Sequence, residues 1–338
     1  MQKAYSNLKV KDKDNFIPEK SRAKTQSKAL KLIPISSSFK QKFSSSIISD
    51  YINLTKPGIM VLLLISTICP MFLAFREVGT EINYMLMLYV FVGGALVSGS
   101  ASVLNCIYDK DIDQIMLRTR QRPLAAGRVR PLSAFIYAIL LGAAGVAILA
   151  LKANPLAAIV SIYGHLFYVI IYTIYLKRST PQNIVIGGAA GAFPPVVGWA
   201  AVTGEITLMP ILLFLVVFFW TPPHFWALAL NKNEDYRRAN IPMMPVIRGD
   251  RSTIYQMLVY SFILLPIAVS PAFIINGSFS LTVFSINLIL SLYFIYKIVL
   301  LARAKDDESK EVAAWSVFGF SLIHLGGFFA SLVLGAFI

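Results

Sequence analysis

Ile82-Asn-Tyr-Met-Leu-Met-Leu-Tyr-Val-Phe-Val-Gly-Gly-Ala-Leu-Val-Ser-Gly-Ser-Ala-Ser-Val-Leu104 runs straight on into Asn105-Cys-Ile-Tyr-Asp109-Lys-Asp-Ile-Asp113. The first part is apolar and long enough to cross a bilayer, which takes about 20 residues. The second is polar and starts where the apolar run stops. On a helix, a step of four residues advances about 40° around the axis, so Asn105, Asp109 and Asp113 share one face. Two carboxylates and an amide at the mouth of a membrane helix are an oxygen-ligand set suited to Mg²⁺. Five arginines follow: Arg118, Arg120, Arg122, Arg128 and Arg130. A hard cation beside an arginine cluster is what a diphosphate requires. Asp111 lies about 240° around from Asn105 and so falls off the site, free to pair with a basic neighbour. The plainer alternative is a solvated charged loop that only orients the helix.

Working outward, the 338-residue chain is 57% hydrophobic and 14% charged, with a mean hydropathy of +0.67. Soluble domains carry about 25% charged residues. The composition therefore predicts an all-α integral membrane protein. The net charge of +14 does not point to nucleic acid, because the basic residues lie in a tail and in loops between apolar spans. The two cysteines, Cys69 and Cys106, lie in or beside spans, which argues against a disulfide scaffold.

Nine apolar spans are predicted, at about 58–75, 83–106, 132–151, 154–176, 184–203, 208–230, 254–276, 279–302 and 313–337. Of the 31 Lys and Arg, 29 then fall on one side of the membrane and only Arg76 and Lys152 on the other. The positive-inside rule puts that side in the cytoplasm and the C-terminus outside. Gly93, Gly94 and Gly99, and Gly187, Gly188 and Gly191, are read as helix-packing positions. Residues 1–49 hold eleven Lys and Arg against Asp12, Asp14 and Glu19, with serine clusters. They read as a mostly disordered basic tail, and residues 50–338 as the nine-helix domain. A mitochondrial transit peptide is the rival reading of the tail. Its acids and many lysines oppose that, which favours a bacterial plasma membrane over a mitochondrial inner membrane.

A second stretch repeats the first device. The sixth span ends Thr221-Pro-Pro-His224-Phe-Trp226-Ala-Leu-Ala-Leu and continues Asn231-Lys-Asn-Glu-Asp235-Tyr236-Arg237-Arg238. Asn231 and Asp235 are again four apart and are expected on one helix face. Two such sites on one membrane side point to a two-centre diphosphate site. His224 sits within or just below the apolar boundary, where a polar side chain is costly unless it is paired or used. His165 and His324 read as satisfied structural histidines. The loop with Lys177 and Arg178 reaches the same surface and could hold phosphate oxygens, or serve only as positive-inside anchoring.

These stretches, with Met116-x-Arg118-Thr119-x-x-Arg122-Pro123-Leu124, resemble the intramembrane aromatic prenyltransferases of the UbiA superfamily, and more narrowly the group that farnesylates haem. Leu54-Thr55-Lys56-Pro57, Leu176-Lys177-Arg178-x-Thr180, Asn183-Ile-Val-Ile-Gly-Gly188, Gly191-Ala-x-Pro-Pro195 with Gly198-Trp199, and Ile241-Pro-Met-Met-Pro-Val246 match that narrower group. Two positions depart from it: Gly58 stands where a basic residue is expected, and Asn240 where glycine is usual. The resemblance covers about residues 50 to 338. It implies nine helices around a central cavity, capped at the cytoplasmic end.

The resemblance also implies transfer of the farnesyl group of farnesyl diphosphate to a vinyl group of haem b with addition of water, giving haem O and diphosphate. Mg²⁺ would be held by Asn105, Asp109, Asp113, Asn231 and Asp235, with Asp109, Asp113 and Asp235 catalytic. Arg118, Arg122, Lys177 and Arg238 would grip the diphosphate, and His224 would contact haem. A haem A synthase or a terminal-oxidase assembly factor is a partner the product suggests. A prenyltransferase acting on another aromatic or tetrapyrrole acceptor is the nearest rival. A transporter is the rival of a different class, and would be expected to carry charges at mid-membrane; no Asp, Glu, Lys or Arg falls at the centre of a predicted span.

Overall fold

The computed structural model describes residues 46–275 and 280–337. Of the tail read over residues 1–49, residues 1–45 lie outside the described residues, while Ser46 caps the helix that starts at Ile47, and Ile47–Ser49 form its first turn rather than being disordered. Short helices α1 (Ile47–Leu54), α4 (Lys110–Ile115) and α9 (Asn233–Arg238) sit among nine long ones. The long helices are α2 (Pro57–Glu77), α3 (Tyr84–Tyr108), α5 (Pro131–Lys152), α6 (Pro155–Leu176), α7 (Asn183–Thr203), α8 (Leu208–Asn231), α10 (Met244–Phe273), α11 (Ser280–Arg303) and α12 (Asp307–Phe337). Among the described residues, these nine are long and apolar enough to cross a membrane. The fold is thus the all-helical, nine-span one expected.

Local chemistry sets the helix starts. Proline occupies the first turn of α2, α5 and α6, where its missing N–H costs nothing. Asn83 and Asn154 cap α3 and α6, accepting from the amides of Leu86 and Ala157. Gly204, at φ 72°, closes α7 in the left-handed conformation. Asp307, Glu308 and Glu311, read from sequence as a loop, belong instead to the first turns of α12. Asp306 accepts from the Ser309 amide at 2.8 Å, and acids are favoured at a helix N-terminus.

Consecutive long helices pack side by side, α12 returns against α2 and α8, and α2 crosses α7. The α7 span is the most enclosed, with 67% of its apolar window buried, whereas α5 has 22% and presents most of its surface outward. Outward faces carry Ile136, Leu140, Ile159, Phe262 and Ile323, as a lipid solvent allows. Close approach needs glycine at two crossings. A Cβ on Gly145 would stand 2.7 Å from the Gly93 carbonyl oxygen, and one on Gly198 would stand 1.9 Å from that of Thr67.

At the end of the bundle where α3 and α8 finish, the connections pack on one another. Ile112 and Met116 from the α4 region meet Ala229, Tyr236, Ala239, Ile241 and Met243. This brings the two expected constellations to one surface. Asn240 has φ 52°, so the position where glycine was expected is a left-handed one, and asparagine is among the few other residues that tolerate it. A Cβ added at Gly58 would meet open space, so the other departure removes no packing.

Candidate active site

Asp109 is fully buried at the end of α3. Its amide donates to the Asn105 carbonyl at 2.9 Å, and the Asp113 amide donates to its own carbonyl at 2.8 Å. These bonds, each to the fourth residue back, span the break at Asp109 (φ −86°, ψ 6°) between α3 and α4 and keep Asn105 against Asp109. The Asn105 side-chain amide donates to Asp109 Oδ2 at 2.8 Å and to Thr173 Oγ1 at 3.1 Å. Asp109 Oδ2 also accepts from Lys177 Nζ, and Arg178 Nη2 lies 3.7 Å from Oδ1. Asp109 Oδ1 itself is buried and has no hydrogen-bond partner. One turn on, both oxygens of Asp113 accept from Arg122 Nη1, at 2.9 and 2.8 Å.

Lys177 reaches Asp109 because α6 changes pitch. Residues Phe167–Leu176 are π-helical, and the Lys177 amide donates to the Tyr172 carbonyl, five residues back. Thr173 Oγ1 donates to the Tyr168 carbonyl at 2.9 Å, also five back. Such stretches are rare and collect at functional sites. Arg178 takes Asp111 with two hydrogen bonds of 2.7 Å, which is the basic partner foreseen for that residue. The Arg178 guanidinium holds the Asp111 carboxyl below its ordinary value.

Lys56 is a site residue that sequence reasoning missed. Its Nζ donates to Asn105 Oδ1 at 2.6 Å. Its backbone is left-handed, at φ 55° and ψ 58°, an uncommon conformation for lysine. Burial pulls its ammonium below the ordinary value. The available signal was a lysine directly before a first-turn proline, where the α region is disfavoured.

The second constellation is built differently from the expectation. Asn231 and Asp235 do not share a helix face. Lys232, at φ −118° and ψ 22°, ends α8, and Asp235 belongs to α9. Asp235 is buried and its Oδ1 accepts from the Leu117 amide at 3.4 Å, which joins it to the arginine loop of the first constellation. Asn231 Nδ2 is buried without a partner. Burial raises the Tyr236 phenol's pKa and the nearby Arg118 guanidinium draws it partly back. Arg238 is exposed at the end of α9, and among the described residues no hydrogen bond or ion pair ties it to Asp109 or Asp113.

His224 is buried between the rings of Trp220 and Phe318, with centroids 4.2 and 4.8 Å away. Its Nδ1 pairs with Ser321 Oγ at 2.6 Å. His165 meets the Val97 carbonyl oxygen at 3.4 Å, and His324 Nε2 meets Ser291 Oγ at 3.1 Å, but His324 Nδ1 is buried without a hydrogen-bond partner, so that ring is not fully satisfied as expected.

The donor set fits a divalent cation of the substrate-bridged kind. Among the described residues no three His, Cys, Asp or Glu side chains form a metal cage by themselves. Mg²⁺ seldom uses one; it takes one or two carboxylates, keeps waters and shares the substrate's phosphates. The orphaned Asp109 Oδ1 is a buried oxygen ligand of that type. Lys177 and Arg178 pair with Asp109, Lys56 bonds the neighbouring Asn105 and Arg122 holds Asp113, so the site carries the positive charge that a bound diphosphate demands.

Comparison with known proteins agrees with this geometry. The model of the UbiA prenyltransferase family matches residues 62–332. A protoheme IX farnesyltransferase of Cyanothece sp. is 45% identical over 279 residues, covering 82% of this chain and 84% of that one. Another, of Chloroflexus aurantiacus, is 42% identical over 288 residues; the match takes in 85% of this chain and 48% of that relative, so the chain spans about half of its length. A solved UbiA homolog from Archaeoglobus fulgidus bound to GPP and Mg²⁺ has the same fold, with a TM-score of 0.63 at 16% identity over 84% of this chain and 99% of that one. By family model, sequence identity and fold alike, the chain belongs to the UbiA prenyltransferase family.

Proposed function

We propose that the chain transfers the farnesyl group of farnesyl diphosphate to a vinyl group of haem b with addition of water, releasing haem O and diphosphate. The observation that carries this reading is the wholly buried Asp109, paired with Lys177 and Arg178 and with one oxygen that accepts no hydrogen bond. The choice of haem as acceptor rests on relatives named protoheme IX farnesyltransferase.

In the reaction the farnesyl C1–oxygen bond breaks and its electron pair leaves with the diphosphate. The vinyl terminal carbon supplies the pair for the new carbon–carbon bond. Water closes the resulting cation and loses a proton. Lys177, Arg122 and Arg118 stabilise the negative charge that develops on the departing oxygens. Asn105 orients Asp109, and Lys56 orients Asn105. A bound Mg²⁺ would supply Lewis-acid stabilisation of the leaving group, held by Asp109, Asp113 and Asp235 with Asn105 and Asn231. The apolar spans receive the farnesyl tail and keep water from the allylic cation. His224, fixed through Nδ1 by Ser321, offers Nε2 to haem iron or a propionate.

We place the site on the cytoplasmic face of a bacterial plasma membrane, with the C-terminus outside, from the distribution of Lys and Arg. A haem A synthase that consumes the product is the partner this reading suggests. The test is incubation of the folded protein with haem b, farnesyl diphosphate and Mg²⁺, with and without EDTA, and mass analysis of the haem. Farnesylated, hydrated haem only in the metal-containing sample is expected. No modified haem from protein that binds farnesyl diphosphate would remove haem as the acceptor, and product in EDTA would remove the metal.

A further inference from the structure

Asp50 is a buried carboxylate, and no step proposed above uses it. It lies on α1, whose Ile47, Ile48 and Ile52 face outward while Leu54 is buried and Tyr51 meets Tyr137 edge-on at 5.0 Å. Its two oxygens both accept from Arg128 Nε, at 3.0 Å each. Arg128 has a second arm: its Nη2 donates to the Gln121 carbonyl at 3.0 Å. Gln121 directly precedes Arg122, the residue that holds Asp113. The stretch between, residues 116–130, is a run of turns with Gly127 at φ 74°, and has no regular helix to stiffen it.

We propose that Asp50 is a positioning residue for the diphosphate site, acting through Arg128 on the backbone beside Arg122; this rests on the diphosphate reading given above. A buried charge is tolerated only with a matched partner, and a guanidinium with two donor arms is the side chain able to serve carboxylate and carbonyl together. The α1 helix thereby becomes a strut for the arginine loop. Removing the Asp50 charge frees Arg128, loosens the Gln121 carbonyl and lets the Arg122 guanidinium drift from Asp113. Misplacement of about 1 Å at a reacting centre can cost about a hundredfold.

The experiment is titration of full-length protein in lipid nanodiscs with Mg²⁺ and farnesyl thiolodiphosphate, a slowly ionising analogue, and separately with haem b. Asp50→Asn should weaken analogue binding about ten- to hundredfold and leave haem affinity unchanged, and Asp50→Glu should restore most of the loss. Arg128→Lys keeps a charge for Asp50 but lacks the second arm; it should melt close to the parent and still bind the analogue weakly. Asp50→Asn combined with Arg128→Ala should be no worse than Arg128→Ala alone. Unchanged analogue affinity in folded Arg128→Lys, additive losses in the double variant, or an equal loss of haem affinity would each overturn the proposal. A parent protein that binds the analogue yet leaves haem unmodified sinks haem as the acceptor and leaves Asp50's role intact. A parent that binds no analogue overturns both.

Discussion

Replacing Lys177 by methionine removes one ammonium and little volume, and it isolates the electrostatics around Asp109. The carboxylate has 0% exposure and the lysine side chain 16%. After the change Asp109 keeps the Asn105 amide at 2.8 Å and Arg178 at 3.7 Å. Breaking a buried pair by removing one partner costs about 3–5 kcal/mol, and the two remaining donors put Lys177→Met near about 3. For a chain of this size that is a fall of about 4 °C in the unfolding midpoint. Asp109→Asn together with Lys177→Met leaves two neutral groups that still fit the space, so the double variant should regain at least about 2 kcal/mol of the summed single losses. Turnover should behave oppositely, staying at least about a hundredfold down in all three variants, since the developing charge has lost its stabilisers. Tryptophan fluorescence during heating in nanodiscs reads the first quantity and single-turnover product mass the second. Single losses that simply add in the double variant, within about 0.5 kcal/mol, would refute the buried-pair reasoning.

Gly198→Ala should abolish correct packing of α2 on α7, because the new methyl would lie 1.9 Å from the Thr67 carbonyl oxygen; a folded, monodisperse peak in size exclusion at parental yield would contradict the crossing. His224→Ala removes the Ser321 partner and a ring stack and should cost about 2–4 kcal/mol in stability. If it also leaves haem affinity and rate untouched, His224 has no part in haem binding. Asp111, whose folded pKa is depressed by Arg178, adds stability that is present above the unfolded carboxyl value near pH 4 and is lost as pH falls through the folded one. The Asp111 side chain is 64% exposed, so Asp111→Asn should cost at most about 1 kcal/mol at pH 7 and less at pH 2. Melting curves that differ equally at both pH values would contradict that pairing.

The spans were legible because lipid imposes one rule on every segment: about 20 apolar residues with all backbone bonds internal. The closeness of Asn105 and Asp109 was legible because bonds to the fourth residue back span the break at Asp109, so four-residue spacing keeps its meaning there. The same spacing misled at Asn231 and Asp235. The helix breaks at Lys232, and lysine is an ordinary helix former that gives no warning. Lys177 was placed at the right surface but not against Asp109, because its reach depends on a π-helical stretch that a 3.6-residue period does not reveal. Lys56 was hidden by a left-handed backbone, and the pairing of Asp50 with Arg128 by a separation of 78 residues. Asn240 stood out in the sequence as a departure from the family pattern, and its left-handed backbone angle explains why glycine is usual there.

The pairing of Asp109 with Lys177 also has a consequence in time. The lysine lies 68 residues further along the chain. At a synthesis rate of about 5–20 residues per second, the carboxylate is made about 3–14 s before its cation exists. Over that interval α3 cannot seat fully, because a lone carboxylate resists entering the apolar phase. The end of α3 must wait at the membrane surface until α6 arrives, and Asp235, 118 residues after the Leu117 amide it accepts from, closes the assembly later still. Biogenesis of the protein is thus ordered by charge: Asp109 gains its lysine only once the chain has passed the end of α6, before the second half is threaded onto the first.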